Sequence, residues 1–185
     1  MAKTHHNVIV DGLAGSIGHL LTVRHYKAGH TVVGSRPTFS PDREFSPAQR
    51  ARHQAFREAA AYAIIAKENP LYLRLAEGTS RNSYNRAISD FLHPPKVLVL
   101  DLGDWRGGPG HVLRIQALDD VQVCQVTIGI TDDVGFLLEH GPARPVGALW
   151  WEYTTTATCT GTLRVTASAT DLPGHVAQLT KSVSP

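Results

Sequence analysis

The sequence predicts an α+β protein in which a β-hairpin and two to three helices precede a C-terminal β-sandwich. Three observations carry this. Residues 17–36 alternate in polarity and are punctuated by glycine, as hairpins are. Residues 46–92 carry helix-capping signals and apolar side chains at helical spacing. From Lys96 onward the chain breaks into short runs of β-formers separated by Gly, Pro and Asp.

Composition sets the frame. At 185 residues the chain suits one large domain or two small ones. With 42% hydrophobic and 18% charged residues, it is too apolar for a disordered chain. No run approaches the roughly 18 apolar residues of a membrane helix, so no membrane insertion is expected. The net charge of +2 is too small to argue for a nucleic-acid partner. It conceals an asymmetry, however. Residues 1–95 hold 12 Lys+Arg and 7 Asp+Glu, whereas residues 96–185 hold 6 and 9. The sequence is therefore divided into a basic arm and helical region, 1–95, and an acidic sandwich, 96–185. Residues 1–7 are followed by only three apolar residues, 8–10, with no apolar core or cleavage site of a secretory signal, which points either to a cytoplasmic product or to a mature or engineered start in place of the original one.

Residues 7–18 resemble, at first sight, the strand and glycine turn of a short-chain dehydrogenase, with Arg36 placed to accept the 2′-phosphate of NADP. Three features argue against that cofactor. Residues 19–26 are rich in β-branched and aromatic side chains and alternate at Leu21, Val23 and His25, as a strand does. No further βα repeats follow, and no Tyr-x-x-x-Lys occurs. The preferred reading pairs residues 17–26 with 30–36 as a hairpin whose glycines, Gly12, Gly15 and Gly18, serve turns and close backbone approach. Such an arm has no core of its own. It needs a partner surface, and its candidate assembly residues are Gly12, Gly15, Gly18, Leu21, Val23, Tyr26, Val32 and Val33.

After a proline-punctuated linker, Ser46-Pro47-Ala48-Gln49 is a capping box with proline at the first helical position. A helix to about residue 67 follows, with Ala55, Phe56, Ala59, Tyr62, Ala63 and Ala66 as its apolar stripe. Asn69-Pro70 breaks it, a short helix over 71–77 ends at Gly78, and a third helix spans 80–92. In that third helix Tyr84, Ala87, Ile88, Phe91 and Leu92 form the buried face, with Asn85 and Asp90 as local hydrogen bonders. His93-Pro94-Pro95 stops it.

Strands are expected at 97–102, 111–118, 123–131, 134–139, 149–157, 161–169 and 175–181. Seven short strands in under 90 residues form the pattern of an immunoglobulin-like sandwich. The inward residues are read as Val112, Ile115 and Ala117, then Val126, Ile128 and Ile130, then Leu163, Val165 and Ala167. Trp150 or Trp151 is expected between the sheets. Cys124 and Cys159 are read as free, buried thiols, with a bridge across the sandwich as the alternative.

The run from Ile115 to Asp120, Val126-Thr127-Ile128, and Asp171-Leu172-Pro173-Gly174-His175 resemble bacterial Ig-like modules of surface proteins. The chain as a whole is similar to uncharacterised bacterial proteins that join a Gly-rich N-terminal β-arm and helical region to such a module. The matching features are residues 12–18, Tyr26, Thr31-Val32-Val33, Arg36-Pro37, residues 46–56, Ser83-Tyr84-Asn85 and residues 90–95. The resemblance implies the two-module architecture, and with it an extracellular or surface setting as an alternative to the cytoplasm. It transfers no activity. The pairs Asp119-Asp120 and Asp132-Asp133 invite a calcium site, but turn-forming aspartates are the preferred reading.

No GxSxG, HExxH, P-loop or Cys/His/Asn signature occurs, and no cofactor, metal or catalytic residue is assigned. The expectation is a non-enzymatic structural protein that assembles with copies of itself through the N-terminal arm, into a filament, tube or similar polymer. A second reading is a carbohydrate- or surface-binding module using Trp105, Trp150 or Trp151.

Overall fold

The computed structural model describes residues 2–4, 13–26, 31–36, 38–40 and 42–184. They fall into two compact units, Met1–Arg52 and His53–Pro185. The division lies inside the first helix rather than at residue 95. The reason is visible in the packing of the second unit, where the helices share a core with loops of the sandwich.

The first unit contains an antiparallel sheet of β1 (Ala2–Thr4), β2 (Gly15–Ile17), β3 (Leu21–His25) and β4 (Thr31–Ser35). Its order is β1-β4-β3-β2. The expected hairpin is β3 against β4, with Leu21 opposite Ser35 and His25 opposite Thr31. Residues 19–26, which a dinucleotide fold would need as a helix, are thus a turn and a strand. Gly18, at φ 59°, supplies the left-handed turn that returns β2 to β3.

Three helices follow among the described residues: α1 (Pro47–Ala66), α2 (Pro70–Ala76) and α3 (Ser83–Leu92). The capping box at the start of α1 forms as expected. The Gln49 amide donates to Ser46 Oγ at 3.2 Å, and the Ser46 amide donates to Gln49 Oε1 at 3.0 Å. Asn69 caps α2 and Asn82 caps α3, so α3 begins three residues later than the sequence suggests. In the second unit Ala63, Tyr72 and Ala87 form a small core, joined by Tyr62, Ala66, Tyr84 and Ile88 and by two sandwich residues, Val121 and Leu172. Alanines on α1 and α3 let the helices approach closely. Phe56, expected in the α1 stripe, is exposed instead, as are Ile64 and Ile65.

The sandwich comprises β5 (Lys96–Asp101), β6 (Val112–Leu118), β7 (Val123–Thr131), β8 (Leu137–Pro142), β9 (Arg144–Pro145), β10 (Trp150–Thr154), β11 (Leu163–Asp171) and β12 (Val176–Val183). Two antiparallel sheets, ordered β5-β6-β10-β9 and β12-β11-β7-β8, bury one core between them. Leu100, Leu113, Ile115 and Ala117 enter it from the first sheet, and Val126, Ile128, Ile130, Leu163, Val165 and Ala167 from the second. Val112 faces outward, contrary to expectation. Period-two alternation through Ile115 requires Leu113 inside, and Val112 is three positions away from Ile115. The mostly β architecture with a helical segment therefore agrees with the α+β reading at the level of two sheets packed face to face.

The tryptophan that fills this core is Trp105, in the loop between β5 and β6, and it is fully buried. Its indole N–H donates to the Gly108 carbonyl at 2.7 Å, so the ring enters the core with its polar atom satisfied. This removes Trp105 from the surface-binding candidates. Gly107, at φ 92°, makes the loop fit: a Cβ there would stand 2.1 Å from the Cys159 carbonyl oxygen.

Candidate functional site

The N-terminal sheet leaves much of its apolar surface open. Among the described residues of the first unit, the buried side chains are Val23, Thr31 and Val32. Leu13, Ile17, Leu20, Leu21, Tyr26, Phe39 and Phe45 are exposed, Leu20 at 78%. Of the sequence-assigned assembly residues, Leu21 and Tyr26 are thus on the surface, Val23 and Val32 are buried, and Val33 is half-buried. Gly15 lies in β2 and Gly18 in the turn after it, whereas Gly12 lies outside the described residues. Among the described residues the sheet is open, with the three-residue strands β1 and β2 at its two edges. An edge strand presents unpaired amides and carbonyls to any strand that reaches it.

A second arrangement lies on the outer face of the β5-β6-β10-β9 sheet. Along β10, Tyr153 is buried and Trp151 packs against the core, while Trp150 and Glu152 occupy the alternate positions. Glu152 stands opposite Arg114 of β6, and Arg114 opposite Asp101 of β5. Arg114 Nε donates to Glu152 Oε1 at 3.1 Å. Asp101, Arg114, Val146, Trp150 and Glu152 line a concavity of about 340 Å³.

The third arrangement is buried where the helices meet the sandwich. The Tyr72 hydroxyl donates to Asp90 Oδ2, and the Tyr62 and Tyr72 hydroxyls lie 2.9 Å apart. Asp90 is therefore no local hydrogen bonder: it is fully buried and ties α3 to α2. Burial, and the nearby Asp119 and Asp171 carboxylates, push its carboxyl up to about 6 despite the Tyr72 hydrogen bond. Burial likewise holds the Tyr72 phenol well above its ordinary value, with Asp90 adding to the effect. Asp90 Oδ1 and Asp119 Oδ1 are both buried without a hydrogen-bond partner among the described residues.

The remaining acidic and thiol residues have structural surroundings. Asp119 Oδ2 accepts from the amides of Val121 and Gln122, and Asp132 Oδ1 from that of Phe136, as turn-forming aspartates do. Cys159 is buried and Cys124 exposed, and both are free thiols.

No family model matches the chain, and no curated protein matches it. Among solved structures the chain is similar to CopC from Methylosinus trichosporium OB3b, at 14% identity and a TM-score of 0.37, covering 48% of this chain and 89% of that one. An engineered protein matches at 23% identity and a TM-score of 0.35, over 49% of this chain and 20% of its own. A conjugative transposon lipoprotein from Bacteroides eggerthii DSM 20697 matches at 12% identity and a TM-score of 0.30, over 50% and 98%. Likeness this slight transfers no activity.

Sequence reasoning singled out Trp150 but not the groups beside it. Arg114 and Glu152 were legible in principle, since each alternates with core residues of its strand: Arg114 with Leu113 and Ile115, Glu152 with Trp151 and Tyr153. Their meeting was not, because cross-strand register is fixed by turns and bulges. The Tyr62–Tyr72–Asp90 chain spans three helices, and no local spacing announces it.

Proposed function

We propose that the protein is a structural subunit that assembles with copies of itself through the N-terminal sheet, with an immunoglobulin-like domain exposed or making lateral contacts. The observation that carries this reading is the first unit itself: a small open sheet, short strands at both edges, and large apolar side chains left exposed. Large apolar side chains left exposed on so small a sheet suit an interaction site in a stable protein. Strand addition from a neighbouring copy satisfies the edges, and if the contact is head-to-tail it propagates as a ring or filament.

Charge favours a second copy as the occupant. Residues 1–52 hold 7 Lys+Arg and 3 Asp+Glu, whereas residues 53–185 hold 11 and 13. A basic unit on one copy and an acidic one on the next attract. The immunoglobulin-like assignment is supported by strand order. Taking β5, β6, β7, β8, β9, β10, β11 and β12 as A, B, C, C′, D, E, F and G, the sheets read A-B-E-D and G-F-C-C′.

The test is a double variant, Ile17→Lys/Leu20→Lys, whose two side chains are exposed and whose replacement leaves folding intact. Wild-type protein is expected to form regular polymers or closed oligomers by negative-stain microscopy and light scattering. The variant is expected to remain dispersed with an unchanged circular dichroism spectrum. A monomeric wild type, or a variant that assembles as well as wild type, overturns the reading.

A further inference from the structure

We propose that the concavity around Trp150 is a binding site for a neutral saccharide. It belongs to the second unit and does not rest on assembly. A pyranose ring offers an apolar C–H face and a rim of hydroxyls. Its recognition needs an aromatic surface beside fixed donors and acceptors. Trp150 supplies the first, being 39% exposed on the solvent face of β10 while Trp151 turns toward the core. The neighbouring strands supply the second.

Strand register, not chance proximity, sets that polar row. Asp101, Arg114 and Glu152 stand directly opposite one another across β5, β6 and β10, with Gln116 opposite Trp150. Arg114 Nε is held by Glu152 at 3.1 Å, which fixes the guanidinium and leaves its terminal N–H groups for a ligand. Asp101 Oδ1 accepts from the Gly103 amide at 3.0 Å, which orients that carboxylate and leaves its second oxygen. The groups are thus oriented before any ligand arrives.

Charge selects the ligand class. Two carboxylates flank one guanidinium, so an anion meets repulsion on both sides. A cation meets Arg114 in the centre of the row. A hydroxyl, which both donates and accepts, is served by either neighbour. The volume of about 340 Å³ lies at the small end of the range of ligand sites, roughly 300–1,000 Å³, and suits one or two sugar residues rather than a folded partner.

The experiment is native affinity electrophoresis of the full chain in gels containing a β-glucan, a galactomannan or a xylan, with polygalacturonate as the acidic comparison, alongside a neutral oligosaccharide array. It is run in the wild type and in the Ile17→Lys/Leu20→Lys background, so that failure of assembly and failure of sugar binding are told apart. Retardation by at least one neutral glycan is expected in both backgrounds. Trp150→Ala is expected to weaken it roughly tenfold or more, Trp150→Phe less, and Arg114→Met substantially, with thermal unfolding unchanged. No retardation by any neutral glycan, undiminished binding by Trp150→Ala, or stronger binding to polygalacturonate overturns the proposal. So does a Trp150→Ala variant whose only change is in oligomeric state, because Trp150 is then a protein contact.

Discussion

Glu139, on β8, is a carboxylate that the core of a β-sandwich would not ordinarily accept. It is nearly buried, and the Tyr153 hydroxyl (2.7 Å), the Thr156 amide (2.6 Å), the Thr156 hydroxyl (2.8 Å) and the Ala157 amide (3.2 Å) all donate to it. Burial alone raises its carboxyl, but the four hydrogen bonds outweigh burial and hold it below the usual glutamate value. Tyr153 shows the complementary effect, its phenol pushed up to about 12 by burial and by Glu139. The pair joins the two sheets, since β8 and β10 belong to different ones. Glu139→Ala leaves buried donors without an acceptor and is expected to cost about 3 kcal/mol in denaturant unfolding. Because the folded value is depressed, the stabilisation is present above the unfolded value of about 4.3 and is lost as pH falls through the folded one. Wild type and variant should therefore converge in stability under acid; a constant gap would contradict the assignment. Gly141, opposite Ile128 on β7, leaves the room this pair needs, since a Cβ there would stand 2.8 Å from the Tyr153 ring.

At the scale of elements, three helices dock on the sandwich through a core that contains a buried acid. Facing Asp90 are Tyr62 from α1 and Tyr72 from α2, with Asp119 from the β6–β7 loop and Asp171 from the end of β11 contributing like charge. Cys124 of β7 feels the same carboxylates, and His175 is held by Asp171 at 2.9 Å. Burial and the neighbouring Asp119 side chain both favour the protonated form of Asp90, whose Oδ1 has no partner among the described residues. The unfolded carboxyl releases its proton near pH 3.9, the folded one near pH 6. Between these values the folded state holds the extra proton, so stability falls as pH rises through the window and stays lower above it. Asp90→Asn keeps an acceptor for Tyr72 and gains a donor for Asp119. It is expected to unfold at a higher temperature than wild type near pH 7, with the advantage shrinking toward pH 4; parallel profiles would contradict this. The sequence showed these helices clearly, because caps and apolar stripes are local: Ser46, Gln49 and Pro47 announce α1, and Gly78 closes α2. It did not show their docking. Phe56 sits in the apolar stripe yet faces solvent, and Asp90 looks polar and local yet lies at the centre, since both depend on what the sandwich loops present. The strands are legible for the same local reason, although β8 runs over Leu137–Pro142 rather than 134–139, and Val112 faces out because it lies three positions from Ile115, off the period of two.

For the whole molecule, the compact units are Met1–Arg52 and His53–Pro185, and the basic excess falls in the first. The helices share a core with the sandwich, and the other compact unit comprises the short sheet, its linker and the start of α1. That concentrates the basic excess, and most of the exposed apolar side chains of the N-terminal half, in about a quarter of the chain. Under the proposed self-assembly, the strand edges and exposed apolar side chains of the first unit are what a second copy would cover. Attraction between basic and acidic units is screened over about 8–10 Å at ordinary salt, so assembly should loosen as salt rises, while apolar contact should resist it. The most direct test is sedimentation velocity of the full wild-type chain, at rising protein concentration in low and in high salt. Self-assembly through the N-terminal sheet requires larger species to grow with concentration, to shrink with salt, and to vanish in Ile17→Lys/Leu20→Lys. A single monomer boundary under every condition would contradict it.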